Sequence, residues 1–198
     1  MKKTINSFPV DAVVTWVDGN DSFHKEKILH YIGGEAPMNS KEFSSRYDQI
    51  NEIQFCIDSL IKFAPFLRKI FLITDAQTPE FISADDSLVY EKVIIIDHKE
   101  IFRGHHEHLP TFNSLSIETC IHRVSGLAEH FIYLNDDFFL INPTKEEDFF
   151  SGGLPILRGK WLNYDSDIFY KRKSKKRGGF KSLQQNSAKL VGSKRYFR

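Results

Sequence analysis

Phe131-Ile132-Tyr133-Leu134-Asn135-Asp136-Asp137-Phe138-Phe139-Leu140 sets two adjacent carboxylates and an amide at the end of a short, nearly continuous apolar run. A run of that kind predicts a strand covered on both faces, the pattern of a buried sheet. Three other runs share its character: Val10 to Val17, Ile70 to Thr74 and Val93 to Ile96, all rich in β-branched or aromatic residues. Between the first two lies a helical pattern over about 48–63, with Ile50, Ile53, Ile57, Leu60 and Ile61 on one stripe and Pro65 beyond its end. Between the Val93 run and the Phe131 run lies another, over about 113–124, entered after Pro110 and left at Gly126. Strands alternating with helices predict an α/β fold whose mostly parallel sheet is flanked by helices.

Every run meets a carboxylate at the same end: Asp18, Asp75, Asp97, and the pair Asp136 and Asp137. In open α/β sheets ligands bind beyond the carboxyl ends of the strands, although Asp also ends strands in ordinary turns. The adjacent pair points to a site. Two neighbouring carboxylates with apolar flanks repel each other, so at least one must be protonated, hydrogen-bonded or neutralised by a cation. Mg²⁺ suits them, because it takes oxygen ligands and joins one or two carboxylates to substrate phosphates.

Other stretches carry weaker signals. Thr15-Trp16-Val17-Asp18-Gly19-Asn20-Asp21 offers a carboxylate, a glycine and an Asp21 placed to cap a helix, which suits a nucleotide loop and an ordinary turn alike. The segment from Asp97 to Ser114 holds His98, His105, His106 and His108. Their spacing matches no compact zinc pattern and no cysteine lies nearby, so the segment reads as a polar loop able to close over a substrate. Asn113 and Ser114 open the next helix, where they either aim backbone N–H groups at an anion or simply cap it. Glu118 and His122, four residues apart, form either a base with its partner or a plain helix pair.

The chain has 198 residues, 41% of them hydrophobic and 14% aromatic, enough to close a core and too many for a disordered chain. The formal net charge of +1 conceals an asymmetry. Residues 1–170 hold 16 basic and 26 acidic side chains, whereas Lys171 to Arg198 hold 11 basic and no acidic ones. An acidic body argues against a nucleic-acid partner, while the basic end suits a polyanion or an anionic membrane surface. No apolar run approaches the roughly 20 residues of a membrane helix, and the reading is cytoplasmic. Cys56 and Cys120 sit in helix-like segments and read as reduced thiols. The absence of a phosphate-binding P-loop, a G-x-G-x-x-G turn and a nucleophile elbow disfavours an NTPase, a dehydrogenase and a serine hydrolase. What remains is a metal-assisted enzyme acting on a phosphorylated, nucleotide-linked ligand.

Taken together, several stretches resemble the Stealth proteins, which include bacterial capsular polysaccharide phosphotransferases and the catalytic region of animal lysosomal-enzyme N-acetylglucosamine-1-phosphotransferase. Asp11 to Asp21 resembles the first signature block of that family. Arg46-Tyr47, Asn51-Glu52-Ile53, Phe63 to Ile70, Ile73-Thr74-Asp75, Asp97-His98, Leu109 to Ser114, Ile117-Glu118 and His122-Arg123 through Asp137 resemble the second. The likeness covers about residues 8–158. It implies a nucleotide-sugar-transferase-like fold, of the GT-A or Rossmann-like kind, and transfer of a hexose 1-phosphate from a UDP- or CDP-linked sugar to a hydroxyl of a growing polysaccharide. By the same resemblance Asp136 and Asp137 bind Mg²⁺ or Mn²⁺. Asp18 and Asp21 sit in the donor site, and Arg46, Asn51, Asn113, Ser114, His122 and Arg123 line the pocket. Glu118 or His98 is the candidate general base. The third and fourth blocks of the family have no match here, so residues 1–158 read as the catalytic domain and 159–198 as a basic, partly ordered segment of a shortened chain, with a strand expected near Trp161 to Tyr170. Peripheral contact with membrane-bound capsule machinery is a further expectation. An ordinary metal-dependent glycosyltransferase and an inactive donor-binding fragment are the alternatives.

Overall fold

The computed structural model describes residues 8–33, 50–84, 88–164 and 180–197. It falls into two compact units, one ending at Gly153 and one beginning at Leu154.

The first unit is built on four parallel strands, β1 (Val10–Thr15), β2 (Ile70–Thr74), β3 (Val93–Asp97) and β4 (His130–Asn135), in the order β3-β2-β1-β4. The α/β class expected from the alternating pattern is therefore the observed one. The connections carry helices α1 (Ser22–Ile32), α2 (Glu52–Phe63), α3 (Glu80–Ser83), α4 (His98–Ile101) and α5 (Ser114–Cys120). Side chains alternate across β1 because successive Cβ atoms point to opposite faces of a strand. Val10, Ala12 and Val14 pack with Ile53, Cys56, Ile57 and Leu60 of α2, while Val13 joins Phe71, Ile73, Ile101, Ile117 and Ile121 on the other face. Both faces are covered, and for that reason the strand sequences are continuously apolar instead of alternating.

α2 follows from its stripe: Ile53, Cys56, Ile57 and Leu60 are buried, and complete burial of each aliphatic side chain contributes about 1.5–3 kcal/mol. The helix stops at Phe63, just before Ala64-Pro65, since the residue before proline is pushed out of the helical region. Both cysteines are free thiols, with Cys56 buried.

One buried carboxylate serves the fold. Asp11, wholly inaccessible on β1, takes a bidentate pair from Arg68 (Nε 2.9 Å, Nη2 2.6 Å) and a third bond from the Ala128 N–H at 2.7 Å. Arg68 also donates to the Gly126 carbonyl at 2.8 Å, which ties the entry of β2 to the turn before β4. Asp11 is thus a structural anchor.

In the second unit, helix α6 (Phe180–Leu190) is followed by a strand at Tyr196–Phe197 that pairs antiparallel with Trp161–Leu162. Tyr164 stacks on Tyr196 with centroids 6.1 Å apart and donates to the Ser193 carbonyl at 2.6 Å. The strand expected near Trp161 to Tyr170 is present at its first two residues, and 165–170 lie outside the described residues.

Candidate functional site

In this strand order the chain moves to one side of β1 for β2 and β3, and to the other side for β4. The switch point therefore falls between β1 and β4, where open sheets form their ligand crevice. The two strands end in register, Thr15 opposite Asn135. The Trp16–Asp21 loop and the Asp136-Asp137 turn consequently leave neighbouring strands at the same level. The sequence places carboxylates there and the topology supplies the crevice.

Asp136 is half-buried, and burial pushes its carboxyl up to about 6, with the Asp137 and Glu52 carboxylates adding to the rise. The pair also acts on the Cys56 thiol, which burial and then the fields of Asp136 and Asp137 push up to about 12. Cys56 Sγ lies 3.9 Å from the Asn135 carbonyl. It is a neutral floor beneath the turn, neither nucleophile nor thiolate ligand at physiological pH. Crowded carboxylate oxygens are a hard donor set, and a divalent ion would relieve their repulsion.

On the β1 side, the loop is gripped from β2. The Gln77 side chain accepts from the Asp18 N–H at 2.8 Å and donates to the Asp18 carbonyl at 3.1 Å. Asp18 Oδ1 in turn accepts from the Asn20 N–H at 2.8 Å. Asp21 caps α1 by accepting from the His24 N–H at 2.7 Å, as the sequence predicts.

α1 then delivers His24 and Lys27 to the end of β2. His24 Nδ1 lies 3.1 Å and Lys27 Nζ 2.9 Å from Asp75 Oδ2. The His24 hydrogen bond, aided by Lys27, holds the Asp75 carboxyl well below the usual carboxylate range despite its partial burial. His98 is buried at the start of α4, and that burial lowers its pKa. It lies in the field of Asp75 and Asp97, in the interior and away from open solvent.

A side-chain link crosses the switch point itself. The Tyr133 hydroxyl bonds Thr15 Oγ1 at 3.0 Å and Asn135 Oδ1 at 2.8 Å. Burial raises its pKa, and the nearby Glu118 and Asp136 carboxylates add to that rise. The field of Glu118 is therefore felt at Tyr133.

The remaining predicted residues are more scattered. Asn51 is exposed at the start of α2 in a left-handed conformation (φ 63°), and its side chain makes no cap hydrogen bond. Asn113 caps α5, its amide oxygen accepting from the Leu115 N–H at 3.1 Å, beside an exposed Ser114. α5 ends at Cys120 and tightens into a 3₁₀ turn over Ile121–Arg123, so His122 is not on one continuous α-helical face with Glu118. His122 is exposed, and Arg123 donates to the Arg103 carbonyl. Arg46 lies outside the described residues.

Residues 46–157 match Stealth protein conserved region 2. The chain belongs to the Stealth family. It is 40% identical over 144 residues to a capsular polysaccharide phosphotransferase of Haemophilus influenzae, an alignment covering 72% of this chain and 38% of that protein. It is 43% identical over 145 residues to an exopolysaccharide phosphotransferase of Streptomyces coelicolor, covering 73% and 26%. A capsular polysaccharide phosphotransferase of Streptococcus pneumoniae is 38% identical over 148 residues, covering 74% and 43%. The chain thus spans less than half the length of these curated relatives.

The Stealth match takes in β2, β3, β4 and the Asp136-Asp137 turn, and β1 with its loop precedes it. Sequence reasoning missed Gln77, which holds the Asp18 loop, His24 and Lys27, which hold Asp75, and Tyr133, which bonds Thr15. No local signal marks Gln77, which meets Asp18 across 59 positions of sequence. His24 and Lys27 were findable in principle, once Asp21 started a helix. Among the described residues no helix is long and apolar enough to cross a membrane.

Proposed function

We propose that the crevice between β1 and β4 binds a nucleotide-linked sugar and transfers its hexose 1-phosphate to a hydroxyl of a growing polysaccharide. The observation that carries this reading is the Asp136-Asp137 turn, with Asp136 pushed up to about 6, directly across the switch point from the Asp18 loop. The naming of the relatives as capsular and exopolysaccharide phosphotransferases supports it.

Asp136 and Asp137 would hold Mg²⁺ or Mn²⁺, whose chemistry when bound is to offset charge on the diphosphate and align the phosphorus for attack. Asp18 and Asp21 shape the donor side, kept in place by Gln77 and by the α1 cap. Asn51 and Ser114 offer exposed polar groups at the ends of their helices, joined by Asn113, His122 and Arg123 on the same connection, and by Arg46. Of the two candidates for the general base, Glu118 fits better than His98, because it lies beside Tyr133 near the crevice whereas His98 is buried. Attack of the acceptor hydroxyl forms a new phosphorus–oxygen bond, its proton passes to the base, and the nucleoside monophosphate leaves. The enzyme would work in the cytoplasm, meeting its acceptor at the inner membrane surface.

The test is to titrate the purified chain with UDP-N-acetylhexosamine with and without Mg²⁺, and to assay released nucleotide in the same tube. Metal-dependent binding with release of UMP supports the reading. Release of UDP overturns it in favour of an ordinary glycosyltransferase, and binding without release assigns this chain to donor binding alone.

A further inference from the structure

His105, Glu107 and His108 are three exposed side chains whose potential ligand atoms all lie within 4.8 Å of one another. They occupy the β3–α5 connection, on and just before the single 3₁₀ turn His106–His108, and share nothing with the Asp136-Asp137 turn. Glu107 Oε1 is 3.8 Å from His105 Nδ1 and 3.6 Å from His108 Nε2. A tetrahedral zinc ion with bonds of 2.0–2.1 Å separates its ligands by about 3.3 Å, so these gaps close with small side-chain rotations. Local geometry makes the convergence possible. Gly104, at φ 80°, turns the chain, and His106 leaves the cluster to bond the Lys99 carbonyl with Nε2 at 3.0 Å. His105 and His108 then stack with centroids 6.2 Å apart and Glu107 beside both. No compact zinc pattern is visible in the sequence because the spacing is set by this turn.

The same residues wall a cleft of about 610 Å³ that also takes in Tyr31, Thr111 and Thr119. Phe112, four residues past His108, packs edge-on against Tyr31 (5.4 Å) and against His24 (5.6 Å), the partner of Asp75. The loop carrying the three ligands thus runs on to pack against α1.

We propose that His105, Glu107 and His108 form a second metal site, for a divalent d-block ion of the zinc class, which fixes the 105–112 loop as the wall of this cleft. Two imidazoles and one carboxylate favour Zn²⁺, Co²⁺ or Ni²⁺ over Mg²⁺, which prefers oxygen ligands and retains its waters. Three protein ligands leave one position of a tetrahedral ion to water or to a ligand in the cleft. The proposal stands independently of the phosphotransferase reading, since it requires neither donor nor turnover.

The test uses the full 198-residue chain, untagged, with Zn²⁺ as the probe in competition with a chromophoric chelator and Co²⁺ as the spectroscopic reporter. The expected result is saturable uptake of one Zn²⁺ at micromolar concentration and an intense visible Co²⁺ spectrum of low coordination number. His105→Ala, His108→Ala and Glu107→Gln should each weaken binding at least tenfold, while His30→Ala, on exposed α1 surface, should leave it unchanged. All three ligands are exposed, so the variants keep the fold, which far-UV circular dichroism checks. Zn²⁺ should also slow amide exchange over residues 105–112 in the parent chain and not in the His105→Ala/His108→Ala double variant. Unchanged affinity in that double variant overturns the site, as does loss of Zn²⁺ binding in Asp136→Asn with full retention in the double variant. Absence of saturable uptake at micromolar Zn²⁺ overturns it as well.

Discussion

Gln77 brackets the Asp18 peptide on both sides, accepting its N–H at 2.8 Å and donating to its carbonyl at 3.1 Å. A side chain from the β2 end thereby holds the loop that leaves β1. Gln77→Ala removes two hydrogen bonds of about 0.5–1.5 kcal/mol each, and loosening the loop should raise the dissociation constant for UDP-N-acetylhexosamine about tenfold. Gln77→Glu keeps the acceptor, loses the donor and adds a charge beside Asp18, so it should bind the anionic donor more weakly than the parent. Calorimetric titration of the three proteins decides the matter, and equal affinities would remove the loop from donor binding.

Asp136 should impose a pH limit on metal binding. Its carboxyl, raised to about 6 in the metal-free protein, must lose its proton before an oxygen can ligate. Mg²⁺ or Mn²⁺ affinity should therefore be level above about pH 7 and fall toward tenfold per pH unit below 6. The stability consequence has the opposite trend to that of an ordinary ion-paired carboxylate. A folded state that holds the proton more tightly than the unfolded chain is stabilised at low pH, and loses that stabilisation as pH rises from about 4 to 6. Asp136→Asn, a neutral stand-in, should then melt higher than the parent at pH 7–8 without metal, with the difference vanishing near pH 4. A parent protein that remains the more stable one at pH 8 would contradict the strained carboxylate.

Asp75 gives the reverse signature. Hydrogen bonding from His24 and the Lys27 charge hold its folded pKa below the unfolded value, so its contribution is present above about pH 4 and is lost as pH falls through the folded value. Asp75→Asn should lower the melting temperature at pH 7 and converge on the parent in acid. Thermal melts of both Asp variants across pH 3–8 should diverge in opposite directions, a pattern that a general loss of structure would not produce.

Much of the fold was legible because β-branched runs covered on both faces have few alternatives to a parallel sheet. The ends were less so. β1 stops at Thr15, short of the expected Val17, since its registered pairing with β4 ends at Thr15 opposite Asn135. The start of α1 was readable from Asp21, but its span was not, because Ser22–Ile32 mixes charged residues with few apolar ones, and among the described side chains His24 and Ile28 are the buried ones. The paired carboxylates were legible as chemistry. Their neighbours Cys56, Tyr133 and Gln77 reach the crevice through pairings 59 to 118 positions apart, which no local pattern encodes. The His105, Glu107 and His108 convergence was hidden for a different reason: it depends on a left-handed Gly104 and on His106 turning away.

The Tyr133 hydroxyl joins Thr15 of β1 to Asn135 of β4 across the switch point. Tyr133→Phe deletes only that oxygen and keeps the ring, so the expected loss of stability is about 0.5–1.5 kcal/mol, measured by urea denaturation with an unchanged slope. Thr15→Val deletes the other end of the first bond at nearly constant volume. If the hydroxyl acts through Thr15, the double variant should lose less than the two single losses added together, and a strictly additive cycle would show that the two groups do not communicate. The functional consequence follows from geometry: Asn135 directly precedes Asp136, so freeing its side chain should loosen the carboxylate turn. Tyr133→Phe is therefore expected to weaken Mg²⁺-dependent donor binding several-fold while leaving Zn²⁺ uptake by the 105–108 loop unchanged. A loss confined to stability, with donor binding at the parent level, would make Tyr133 a structural bridge with no part in shaping the site.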